Sequence, residues 1–185
     1  DEAFETHKDY KENVNLWEYY IRSYNGGYDY TLGQFLNRYN LELDNEYNQR
    51  LGNTPCDNHC KNIIQIYSSF LFRVKASRDF GAMADEASLE SFLKDADLDG
   101  NSFDSVMKQA QNYSSIYGHC FLILDKPKIT TNTRAEELQQ DSRPYLSIVT
   151  PENGLDWNCK REINGKYILD YLKVREEVDK KGGTY

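Results

Sequence analysis

Residues 102–125 read SFDSVMKQAQNYSSIYGHCFLILD, a helical pattern followed directly by a strand pattern. Ser102 is a favoured N-cap residue, and Gly118 ends the helix because glycine takes a left-handed conformation at little cost. Apolar side chains between them recur at helical spacing and predict one buried face: Phe103, Val106, Met107, Ala110, Tyr113 and Tyr117. The apolar run 119–125 then predicts a short buried strand, which Pro127 closes.

The chain before this stretch is also patterned for helices. Residues 14–24 carry apolar groups at helical spacing, and Gly26 and Gly27 end that helix. The polar residues 1–16 are interpreted as an N-terminal arm. Residues 28–43 are mixed and aromatic, and they predict a loop with a short helix.

Two further helices are predicted over residues 44–53 and about 58–75, the second with Asp57 as its N-cap. Its apolar positions follow helical spacing: Ile63, Ile64, Tyr67, Phe70, Leu71 and Val74. It is the most hydrophobic predicted element, so we expect it at the centre of the core. A shorter helix is predicted to begin after Ser88 as its cap.

The C-terminal half is patterned for strands. Residues 128–142 are polar and predict a surface excursion, and residues 145–149 predict a strand. Pro151 begins a turn, and Asn164 followed by Gly165 is a strong hairpin signal. Helices followed by strands predict an α+β fold, mainly helical, with a small mixed or antiparallel sheet in the C-terminal half.

The composition indicates a globular, acidic protein. The formal net charge is −8, and aromatic residues make up 14% of the chain, which argues against disorder. Lys and Arg form no block, so we do not expect stable binding of duplex DNA phosphates. No run of about 18 apolar residues occurs, which predicts no membrane span.

The domain organisation follows from the same patterns. Residues 17–175 are interpreted as one region and residues 176–185 as a linker. The first residue is Asp rather than Met, and the end, KKGGTY, follows a strand-like run. We therefore expect the chain to be processed or part of a longer protein.

The acidic turn 95–101 (DADLDGN) resembles the first half of a calcium-binding loop. The twelfth position of such a loop should be a bidentate Glu, and here it is Val106, while the ninth is Phe103. Without that Glu the coordination shell stays open. The alternative is an acidic turn that caps the following helix.

Cys56, His59 and Cys60 form a C-x-x-H-C cluster that would share one face of a helix. Zinc takes four ligands, so another is needed from farther along the chain: His119, Cys120 or Cys159. The alternative is a set of free thiols, as is usual in a cytosolic protein.

Catalytic motifs are lacking. The sequence has no G-x-S-x-G, no phosphate-binding P-loop and no G-x-G-x-x-G. His119 and Cys120 adjoin at the start of a strand, where side chains point to opposite faces, so we expect no catalytic dyad. Scattered acids leave open a two-metal hydrolase or nuclease site: Asp97, Asp99, Asp125 and Glu152.

Tyrosines are concentrated near the N-terminus of the predicted region. Tyr19, Tyr20, Tyr24, Tyr28 and Tyr30 fall within one short segment. Tyrosine supplies rigid contact area with a polar tip, as at protein interfaces, and it also packs in ordinary cores. The last four are our candidate interface residues.

Three stretches together resemble the N-terminal half of tailed-bacteriophage portal proteins. The first is YYIRSYNGGYDY at residues 19–30, and the second is the Asn- and Arg-containing lead into an apolar helix at residues 47–74. The third covers residues 92–127 and 143–157, where an acidic turn and a helix precede Y-G-H-C-F-L-I-L-D-K-P and then R-P-Y-L-S-I-V-T-P-E-N. The resemblance lies in the order of these motifs.

This resemblance implies the outer, wing-forming part of a homo-oligomeric ring of roughly twelve subunits, a dodecamer, at one capsid vertex of the virion. The ring would be assembled in the host cytoplasm. Its implied partners are the major capsid protein, the packaging terminase and neck or adaptor proteins. Double-stranded DNA would pass through the ring without sequence-specific contact, and an acidic surface suits such sliding. The resemblance implies no cofactor and no catalytic residue. The alternatives are a metal-dependent hydrolase or nuclease using the turn at residues 95–99, and a small calcium- or zinc-stabilised binding module.

Overall fold

The computed structural model describes residues 5–33, 35–55, 57–127 and 143–176 and confirms the α+β class. Six helices come first: α1 Lys8–Asn25, α2 Gly27–Leu32, α3 Asp44–Asn53, α4 His59–Leu71, α5 Ala87–Lys94 and α6 Phe103–Tyr117. Four strands follow: β1 Phe121–Asp125, β2 Tyr145–Val149, β3 Gly154–Arg161 and β4 Tyr167–Val174. The predicted excursion over 128–142 and most of the predicted linker 176–185 lie outside the described residues.

The strands form two antiparallel pairs rather than one sheet. β1 pairs with β2, with Ile123 opposite Ser147, and β3 pairs with β4 as a hairpin. Gly165 has φ of +84° in the turn between β3 and β4, a conformation that favours glycine, so the hairpin prediction is confirmed.

The core lies between α1 and α6. Trp17 on α1 and Ile116 and Tyr117 on α6 are all less than a tenth exposed and contact each other as one cluster. Partly buried side chains surround them: Tyr10, Val14, Ile21, Tyr24, Ile64, Tyr113 and Trp157. Ser102 caps α6 through its hydroxyl, and Gly118 ends the helix with φ of +89°, as predicted.

The prediction that the helix after Asp57 is the centre of the core is wrong. Of α4, Ile64 contacts the core and Ser68 is 2% exposed, whereas Phe70 is 66% exposed. Only one narrow side of α4 packs on α6 and α1, so most of its apolar face lies outside the core. The hydrophobicity of the helix therefore did not indicate its position in the fold. Its N-cap is Asn58 rather than Asp57, and it ends at Leu71 rather than near residue 75.

The prediction of an N-terminal arm over residues 1–16 also differs from the structure, because α1 begins at Lys8. The His7 side chain accepts a hydrogen bond from the Asp9 N–H and so caps the helix. The His7 ring stacks on Trp157 of β3 at 4.2 Å, and the His7 backbone N–H donates to the Leu155 carbonyl at 2.9 Å. The segment is thus anchored by contacts with a strand far along the chain, which a local pattern does not show.

Two smaller differences concern α5 and β1. α5 has Glu86 as its N-cap and not Ser88. β1 was expected to be buried, yet Leu122 is 44% and Leu124 is 64% exposed. A two-stranded sheet covered on one side leaves the alternate side chains in solvent, since successive residues point to opposite faces.

Candidate protein interface

The structure places the four predicted interface tyrosines in different environments. Tyr28 on α2 is 71% exposed, and Tyr20 on α1 is partly exposed on the outer side of that helix. Tyr30 is half-buried. Tyr24 packs against the core, so it contributes to folding more than to a surface.

An aromatic cluster joins α1 to the segment after α2. The Tyr19 ring contacts Phe35 edge-on at 4.9 Å between centroids, and Tyr30 lies 5.5 Å from the same Phe35 ring. The Arg22 guanidinium links the two helices by donating to the Asp29 carbonyl at 2.9 Å and to its carboxylate at 3.2 Å. Residues 19–35 therefore pack against each other, and their outer side is exposed.

Sequence reasoning missed a larger exposed surface on α4. We call it the α4 stripe, and it consists of five side chains that are between 53% and 66% exposed: Ile63, Ile66, Tyr67, Phe70 and Leu71. Their positions fall at i, i+3, i+4, i+7 and i+8, which places them on one face of the helix. The amphipathic signal in the sequence was real, but the apolar face points outward.

A shallow groove of about 640 Å³ runs beside the α4 stripe. Polar side chains and two members of the stripe line it: Asn62, Gln65, Ile66, Ser69, Phe70 and Arg73. An apolar strip next to polar groups is the arrangement expected of a protein contact surface, where an apolar centre has a polar rim. The geometry of α4 therefore favours binding of another protein surface.

The acidic turn 95–101 is held by hydrogen bonds from its own backbone. The Asp97 carboxylate accepts from the N–H groups of Asp99 and Asn101 at 3.0 and 3.1 Å. Asp95 accepts from the Gly100 N–H at 2.9 Å and forms an ion pair with Arg143 at 2.5 Å. The turn thus connects the end of α5 to the residues that lead into β2.

The electrostatics of Asp97 agree with this geometry. Partial burial would raise its pKa, but the Asn101 side chain and the N–H groups of Asp99 and Asn101 outweigh that effect and lower the pKa. These bonds stabilise the charged carboxylate, because each donor favours the ionised form.

The other predicted ligands are dispersed. Cys60 and Cys159 are exposed, Cys120 lies 3.5 Å from the Ser114 hydroxyl, and Cys56 lies outside the described residues. The Glu152 carboxylate accepts from the Tyr117 hydroxyl at 2.9 Å. Within residues 5–33, 35–55, 57–127 and 143–176, no three His, Cys, Asp or Glu side chains are gathered so as to hold a metal ion.

His119 lies in an aromatic environment. Its ring meets Trp17 at 5.6 Å and Phe121 at 5.5 Å, both edge-on. Burial lowers the pKa of His119, because the charged imidazolium loses hydration there. His119 is therefore part of the packing between α1 and β1.

No protein-family model matches this chain, and no curated protein matches it either. In the part of the chain that the structure describes, no helix is long and apolar enough to cross a bilayer.

Proposed function

We propose that this chain is the wing-forming part of a portal subunit, a structural ring protein without enzymatic activity. The observation that carries the proposal is the α4 stripe, five large apolar side chains on one helix face that remain mostly exposed. Exposed apolar surface of this kind marks an interaction site, with a protein contact as one of its common uses. A ring subunit needs such a surface, because each copy contacts two neighbours.

Covering the α4 stripe with another surface would be energetically favourable. Burying a large apolar side chain contributes about 1.5–3 kcal/mol when it passes from full exposure to full burial. The side chains of the α4 stripe are 53–66% exposed, so covering them fully contributes somewhat more than half of that for each one. Five such side chains together contribute about 4–8 kcal/mol, which is of the same order as the lower end of the entropic cost of association, about 4–15 kcal/mol.

The motifs that carry the resemblance also contact each other in the fold. The Asp95 carboxylate of the acidic turn pairs with Arg143 of the R-P-Y motif at 2.5 Å. The Leu146 N–H donates to the Ala96 carbonyl at 2.7 Å, so β2 continues directly from that junction. These contacts join the two parts of the third stretch, so its acidic turn and its R-P-Y motif form one structural unit.

The proposed ring lies at the portal vertex of the virion. It would contact the major capsid protein, the terminase and a neck or adaptor protein, and double-stranded DNA would pass through it during packaging and ejection. The net charge of −8 supports passage without a tight grip, because an acidic surface repels phosphates.

The test is the assembly state of the full-length protein. Mass photometry and negative-stain microscopy should show closed rings of roughly twelve copies at micromolar concentration. Monomers alone, across a wide range of protein concentration and salt, would contradict the proposal.

A further inference from the structure

We propose that the α4 stripe binds the acidic segment, residues 79–99, of a second copy of this chain. The inference rests on the proposed ring and specifies which two surfaces of neighbouring copies meet. A contact between two different surfaces is heterologous, and it generates a ring when the rotation from one copy to the next closes on itself.

The α4 side of the contact is basic. Residues 58–78 contain no Asp or Glu, in a chain whose net charge is −8. They contain four cations: Lys61, Arg73, Lys75 and Arg78. Arg78 pairs with Asp104 within the same copy, whereas Arg73 and Lys75 are exposed next to the apolar stripe.

The acidic segment has the opposite charge. It holds seven carboxylates and one cation, Lys94, which pairs with Glu90, and its Asp95 pairs with Arg143 within the same copy. Asp85 and Asp99 are exposed. The segment also exposes apolar groups, with Met83 at 56% and Leu98 at 38%. It therefore offers both charge complementarity and apolar area to the stripe.

Packing within one copy leaves both surfaces accessible. α4 packs on α6 and α1, and α5 packs on α6. The outer side of α4 carries the stripe, and Asp85 precedes α5 on an exposed stretch. Each copy therefore carries both halves of the contact.

A symmetric contact between two α4 stripes is disfavoured. It would place the cations of one copy, Arg73 and Lys75, against a surface with no carboxylate between residues 58 and 78. Like charges brought together in an interface cost several kcal/mol. Nucleic acid is a poorer occupant, because five apolar side chains would lie against a phosphate backbone.

Charge reversal provides the test. The double variant Arg73→Glu/Lys75→Glu of the full-length protein should weaken assembly roughly tenfold or more, measured by mass photometry across a concentration series. Lys108→Glu/Lys166→Glu is the matched control, since it makes the same charge change at exposed positions outside both surfaces, and it should assemble as the unmodified protein does.

Rescue makes the test specific. Asp85→Lys/Asp99→Lys should also fail to assemble alone, and mixing it with Arg73→Glu/Lys75→Glu should restore complexes in which the two types alternate. Far-UV circular dichroism checks folding. Phe70→Ser, at a 66% exposed position, gives a second variant that removes apolar area without changing charge and should also weaken assembly.

The outcomes separate the two proposals. Rings that persist in both charge-reversed variants and in Phe70→Ser overturn the surface assignment and leave the portal proposal standing. Loss of assembly in the Lys108/Lys166 control to the same extent, or no rescue on mixing, also overturns the assignment. An unmodified protein that never assembles overturns both. Fluorescence anisotropy with a short DNA duplex tests nucleic acid as the alternative occupant. If Arg73→Glu/Lys75→Glu abolishes DNA binding and leaves assembly unchanged, the α4 stripe binds nucleic acid and the assignment is overturned.

Discussion

Replacing Tyr117 with phenylalanine tests the contact that joins the helical core to the strand region. The Tyr117 side chain is 5% exposed, and its hydroxyl donates to the Glu152 carboxylate at 2.9 Å. Burial and the neighbouring Glu152 carboxylate raise the pKa of Tyr117, so the hydroxyl keeps its proton and remains a donor at all working pH values. Hydrogen bonds to charged groups contribute about 1.5–3 kcal/mol.

We therefore expect Tyr117→Phe to lower the free energy of unfolding by about 1.5–3 kcal/mol. For a domain of this size that corresponds to a fall in Tm of about 3–12 °C. The aromatic ring is kept in this variant. The loss of stability therefore measures the missing hydroxyl and the Glu152 carboxylate that is left without its donor. Urea unfolding followed by circular dichroism measures it.

Tyr113→Phe is the matched control for this prediction. Tyr113 is on the same helix, packs against the same core and lies 6.4 Å from the Tyr117 ring. Its hydroxyl makes no hydrogen bond within the described ranges, so its removal should change stability by less than about 0.5 kcal/mol. Equal losses in the two variants would refute the assignment of stability to the Glu152 contact.

Two further predictions concern a pair of glycines, Gly118 and Gly52, and the pH dependence that His119 confers. Gly118→Ala should destabilise the protein by about 1–2 kcal/mol, because φ is +89° at that position. Gly52→Ala within α3 should instead stabilise it by about 0.4–1 kcal/mol, because the added methyl group meets no neighbouring atom. Thermal unfolding of both variants checks this, and a change of Tm in the same direction for both would contradict it. His119→Phe should flatten the dependence of stability on pH. The folded-state pKa of His119 lies below its ordinary value of 6.5, so the unfolded chain takes up a proton first as pH falls. The contribution of neutral His119 to stability is fully present above pH 6.5 and is lost as the pH falls from 6.5 to the folded-state pKa. Unfolding free energies measured at intervals from pH 7.5 to 5 test this. An equally steep pH dependence of the unfolding free energy in His119→Phe would count against it.

Local signals in the sequence predicted most of the secondary structure. The helix over residues 44–53, the N-cap at Ser102 and the stop at Gly118 were all found as predicted. The hairpin turn at Gly165 was also found. These features depend on residues within a few positions of one another, so pattern and turn chemistry are enough to identify them.

The interface of four tyrosines stays a prediction, and the structure places its members in different environments. Tyr28 and Tyr20 lie at the surface, but Tyr24 packs against the core, because its place on α1 faces inward. The α4 stripe was visible as an apolar helix face and was assigned to the core. Hydrophobic periodicity shows that a helix has an apolar face, and it does not show whether that face meets this chain or another one.

By itself, the sequence determined the order of the helices and strands, the α+β class and the acidic balance, because these follow from short-range spacing and composition. Tertiary structure alone decided that α1 and α6 form the core and that Ile63, Ile66 and Phe70 remain outside it. It also decided that Asp95 of the acidic turn is paired with Arg143. Each of these depends on which surfaces meet when distant segments pack, and that is settled by the fit of the whole chain rather than by any local pattern.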